Sequence, residues 1–77
     1  MDELLSTVKL FACNYVPMNY LPCDGRALQV NQHQALYALI GTTFGGHYPD
    51  TFNLPKLEAP QGLRYGICIE GVWPSRD

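Results

Sequence analysis

The residues of this 77-residue chain that could carry covalent or acid–base chemistry are few. Cys13, Cys23, Cys68, Ser6 and Ser75 are the nucleophile candidates, and His33 and His47 are the bases. A nucleophile becomes reactive when a base lies within hydrogen-bond reach and a third group orients that base. No spacing here supplies such a set. There is no GxSxG elbow and no HExxH, and Gly45-Gly46 lacks the Lys-Ser/Thr that completes a phosphate loop. The three cysteines form no CxxC, so a zinc site would have to recruit His33 or His47 at irregular spacing. A non-enzyme is expected, with no catalytic residue, no cofactor and no metal.

The same residues have plainer uses. An odd cysteine count points to small, half-buried thiols in a reducing compartment, with a Cys13–Cys23 disulfide as the alternative. Asp24 is suited to holding its own turn through its carboxylate. His33, at the start of a helical pattern, reads as a solvated polar residue. Recognition chemistry is better represented. His47, Tyr48 and Asp50 sit on a glycine-rich loop, and Trp73 and Arg76 on the carboxyl-terminal tail. Aromatic rings stack on sugar faces while Asp and Arg bond hydroxyls, so these five are the ligand or partner candidates. The competing expectation for Trp73 is a core anchor, since a lone Trp in a small domain is usually largely buried.

These residues must be positioned by short elements. Residues 1–7 read as a frayed helix or an arm, and Val8 to Ala12 as a strand. Tyr20 to Cys23 and Arg26 to Leu28 flank Asp24-Gly25, which predicts a tight hairpin. Pro22 cannot donate to a ladder and puts its arm at an edge. Asn31 with Gln34 resembles a capping box opening a helix over Gln32–Ile40, with Ala35, Leu36, Leu39 and Ile40 on its buried face. Gly41 is then a left-handed cap. Gly41 to Asp50 is loop, where Gly45 and Gly46 permit a close reversal. Thr51 to Leu54 is extended and stopped by Pro55. Glu58 to Gly62 is loop. Leu63 to Glu70 alternates as a half-buried strand, with Leu63, Tyr65, Ile67 and Ile69 inward. Gly71 breaks it. One α+β domain over residues 1–77 is expected, with a few short, mostly antiparallel strands and one helix.

Charge excludes whole classes. Five Lys and Arg against seven Asp and Glu give a net charge of −2, and the cations are scattered singly along the chain. Nucleic-acid binding needs a concentrated basic footprint, so none is expected. The longest apolar run, Ala35 to Ile40, cannot span a bilayer, and the opening residues do not read as a signal peptide. Charged residues make up 16% against a usual share of about 25%, which leaves a surface of contact-forming polar and apolar groups.

Taken together, Lys9 to Ala12, Val16 to Gly25 (VPMNYLPCDG), Leu28 to Thr43 (LQVNQHQALYALIGTT), Phe44-Gly45-Gly46 and Thr51-Phe52-Asn53-Leu54-Pro55 resemble phage tail collar domains. Such domains also occur in bacterial proteins labelled microcystin-dependent. Ile67 to Arg76 looks like the ending of the same proteins. The resemblance assigns Cys23, Asp24, Gly25, Gly41, Gly45, Gly46, Phe52, Pro55, Gly71 and Pro74 to the structural motif. It implies a structural and interaction protein of a phage or phage-like tail, made in the bacterial cytoplasm. The implied partners are itself, with a trimer favoured, or a tail-fibre protein near the host-recognition end. A cell-surface glycan module and a tail assembly factor are the alternatives. The chain departs from the pattern after Leu57. Where relatives carry an Arg-Gly-Arg stretch and a long glycine-rich segment, Glu58 to Gly62 crosses in five residues. Tyr20 replaces the usual Trp, and His47-Tyr48 the usual Asp-Gly.

Overall fold

The computed structural model describes residues 3–12 and 16–74. It shows an α+β fold of two small antiparallel sheets and one short helix, as the patterning predicts. The first sheet contains β1 (Val8–Phe11), β2 (Tyr20–Pro22) and β5 (Arg64–Cys68), in the order β1-β5-β2. Leu10 pairs with Tyr65, and Leu21 with Ile67. Pro22 lies on an edge strand, where its missing N–H costs nothing.

The central strand is covered on both faces rather than one. Ile67 faces the main core, yet Gly66 and Cys68 on the opposite face are buried too. Phe11 and Tyr20 meet edge to face at 5.2 Å on that second face. A Cβ on Gly66 would lie 2.9 Å from Phe11 Cε2, so the ring pair occupies space that only glycine leaves free. Alternation predicts which residues share a face but not that aromatic rings from neighbouring strands will close over the other one.

The second sheet pairs β3 (Ala27–Gln29) with β4 (Thr51–Asn53). The hairpin expected across Asp24-Gly25 therefore does not form, because β2 and β3 belong to different sheets. Cys23 N–H donates to Tyr65 O at 3.0 Å, and Asp24 bridges Lys56. Beyond Pro22 the chain thus keeps partners from elsewhere in the sequence, and the turn sends it from one sheet to the other. On its far edge β4 meets the glycine loop. Asn53 N–H donates to Gly45 O at 2.9 Å, and His47 and Thr51 exchange both backbone bonds at 3.0 Å.

A 3-10 turn, Val30–Gln32, follows β3 directly, and α1 spans Gln34–Ile40. The helix thus starts two residues later than expected, and the Asn31/Gln34 capping box is not made. His33 occupies the N-cap without a side-chain bond, because Asn31 is used in the tighter turn that leaves the sheet. Leu36 is fully buried, with Leu39 and Ile40 beside it. Ala35 is exposed, and Tyr37 replaces it on the inner face, meeting Phe52 edge-on at 5.4 Å. Gly41 ends the helix at φ +56°, ψ −145°. That is not the left-handed helical cap predicted but an extended, positive-φ geometry suited to glycine alone.

The amino-terminal residues form an arm. Leu5 N–H donates to Val72 O at 2.8 Å, Val72 N–H to Glu3 O at 2.9 Å, and Ser6 N–H to Cys68 O at 2.9 Å. Leu5 enters the core with Cys23, Leu36, Phe52, Leu54 and Ile67. Gly71 makes the arm's approach possible, since a Cβ there would lie 2.3 Å from Glu3 O. The accessible surface is 5413 Å², against roughly 4,700 Å² expected for this mass.

Candidate functional site

The glycine loop brings three of the five sequence candidates together. Asp50 N–H donates to His47 O at 2.8 Å, and His47 N–H also reaches Thr51 Oγ1 at 3.2 Å. Gly46 makes this closure possible. It has φ +128°, and a Cβ would stand 2.5 Å from Phe52 Cα. Tyr48 is 72% exposed and stacks on Tyr37, with ring centroids 6.0 Å apart and planes 21° from parallel. Beside it, Gln29, Asn31, Pro49, Asp50 and Thr51 line a hollow of about 370 Å³. Gln29 and Asn31 carry no sequence signal for this role, since only the β3–β4 pairing brings them beside the loop.

Trp73 belongs elsewhere. It follows Val72, which is tied to the arm, and none of the hydrogen bonds closing the glycine loop reaches it. It is 51% exposed, so the expected core anchor is not found. The backbone bonds of Val72 to Glu3 and Leu5 hold Trp73 next to the arm. Pro74 is half-buried. Arg76 and Cys13 lie outside the described residues. Cys23 is a free thiol, and the Cys13–Cys23 pairing falls on a residue outside that description. Both Cys23 and Cys68 are fully buried rather than half-buried. Burial, with the Asp24 charge adding to it, pushes the Cys23 thiol up and keeps it protonated and inert.

Charged groups gather at two further places, the first of which no spacing in the sequence announces. Glu3 accepts from Lys9 Nζ and, at 2.8 Å, from Tyr20 OH. These two donors, Lys9 first, hold the Glu3 carboxyl below the usual carboxylate range. Burial, followed by the hydrogen bond to Glu3, pushes the Tyr20 phenol up. At the Asp24 turn, the carboxylate accepts from Arg26 N–H, Nε and Nη2, each at 3.1 Å. That pairing holds Asp24 below its ordinary range. The turn borders a groove of about 400 Å³ whose walls include Arg26, Lys56, Glu58, Arg64 and Tyr65. Among the described residues no three His, Cys, Asp or Glu converge as a metal site, and no helix is long and apolar enough to cross a membrane.

Comparison with known proteins agrees with the motif. The family model of the phage tail collar domain matches residues 6–60, well over half of the chain, and spans β1 to the Asp24–Lys56 bridge. No curated protein and no solved structure matches. The chain belongs to the phage tail collar domain family and carries the structural role of that domain in phage tails.

Proposed function

We propose that this chain is a small, non-enzymatic collar-type subunit, one domain over residues 1–77, that assembles with itself or with a tail-fibre protein near the host-recognition end. The apolar side chains left outside the core carry this reading. Val8 and Leu10 project from one face of the edge strand β1, while Leu4 and its bridge partner Val72 are exposed on the neighbouring arm, followed by Trp73. Burying such groups against another subunit supplies the stabilisation that a small core provides only narrowly. Light scattering coupled to size exclusion tests the self-assembling form, with a trimer expected. A clean monomer at micromolar concentration rejects it and leaves the fibre partner to be sought by co-purification.

A second reading rests on Tyr48. An exposed ring held flat by Tyr37, beside a hollow of amides, a hydroxyl and a carboxylate, is suited to a neutral glycan of the host surface. Glycan-array binding lost in Tyr48→Ala, with the fold intact, supports this reading. Unchanged binding in that variant removes the loop from the recognition surface.

A further inference from the structure

We infer that the groove beside the Asp24 turn is a binding site for a saccharide bearing a single carboxylate. Only five Lys and Arg are present in the chain, and three of them, Arg26, Lys56 and Arg64, line this one groove. Asp24 and Glu58 face it as well, so three cations stand against two carboxylates, a local surplus of one positive charge on a chain of net −2.

The charges are not equivalent. Arg26 is engaged by Asp24 through two side-chain bonds, whereas Lys56 and Arg64 form no ion pair among the described residues. Those two are free to take a carboxylate, Arg64 by its planar fork and Lys56 as a point charge. Glu58 is a free acceptor for sugar hydroxyls, and it repels an anion of higher charge density such as phosphate. The half-buried Tyr65 with Leu63 offers an apolar wall to the C–H face of a ring. A volume of about 400 Å³ is in the range of small-ligand sites.

The walls are preorganised by the backbone. Cys23 N–H donates to Tyr65 O, and Leu57 N–H to Cys23 O, both at 3.0 Å, so the three wall segments are joined through one residue. Gly25 lets the turn lie against Lys56, where a Cβ would meet Lys56 Cβ at 3.3 Å. Binding therefore requires little backbone ordering. The site is separate from Tyr48 and stands or falls independently of the readings above.

Amide titration of the isotope-labelled full chain by NMR tests it, with glucuronic acid as probe and glucose and inorganic phosphate in parallel. Saturable shifts are expected at residues 23–26, 56–58 and 64–65, with a dissociation constant of about 1 mM. Lys56→Gln and Arg64→Gln, both at exposed positions, should each weaken binding about tenfold while leaving the remaining spectrum unchanged. Tyr48→Ala should leave it unaltered. The proposal is overturned if glucuronic acid gives no saturable shift, if glucose moves the same amides equally, or if phosphate binds more tightly.

Discussion

The two sheets are built on opposite plans. The backbone bonds of the β3–β4 sheet, with α1 and the glycine loop, lie within residues 26–54 and join segments closer in sequence. The three-stranded sheet joins residues 3–22 to residues 64–72 across the whole chain. Each relies on one glycine to let two backbones touch, Gly46 against Phe52 and Gly71 against Glu3. Closing long-range contacts costs more chain entropy than closing local ones. The first region is therefore expected to hold longest, and the arm to open first.

Substitutions can separate the two. The largest effect is expected at Phe52, which is fully buried between the regions. Phe52→Ala should cost about 4 kcal/mol and unfold both sheets together in a urea titration. Gly46→Ala places a methyl against backbone at a positive φ, at about 3 kcal/mol. It should strip hydrogen-exchange protection from Thr51 and Asn53 first. Gly71→Ala should cost about 2 kcal/mol and release the amides of Leu5, Ser6 and Val72 while sparing those of β4. Equal loss of protection in both regions would show that they form one cooperative unit.

The smallest effect is electrostatic. The Glu3 carboxyl is held below its ordinary value of 4.5 by Lys9 and Tyr20 in the folded chain. A depressed carboxylate adds stability that is fully present above the unfolded value and is lost as pH falls through the folded one. Acidification below about 4.5 should therefore loosen the arm before β4, read as faster exchange at Leu5 after correction for intrinsic rates. Glu3→Gln should flatten that dependence. An unchanged pH profile in the variant would remove the ion pair from the account of the arm.

Much of the fold was legible in the residues. The apolar spacing around Leu36 marks the helix, β-branched and aromatic runs mark the strands, and Asp24 holds its turn as its side chain suggests. Partner choice was not. An Asp-Gly turn between two strand-like runs reads as a hairpin, yet Cys23 and Asp24 take partners at Tyr65 and Lys56, far along the chain. The same blindness hides the groove. Arg26, Lys56 and Arg64 look scattered in sequence, and only the pairing of segments 23–24, 56–57 and 65 makes them neighbours. Of the recognition candidates, His47, Tyr48 and Asp50 share one loop because glycine content marks loops directly. Trp73 escapes the frequency argument for burial because its position follows from Val72's backbone bonds to the arm.

The bond between Glu3 and Val72 has a topological consequence. It brings the two extremities of the described chain side by side, with Val72 N–H 2.9 Å from Glu3 O. A short flexible segment can therefore connect the strand-end at Val72 to the arm at Glu3, and the chain can be reopened at the exposed Gln61–Gly62 turn. In such a circular permutant β5 would open the sequence and lead directly into the arm and β1. Every strand would keep its present neighbour, and the central strand of the long-range sheet would become local.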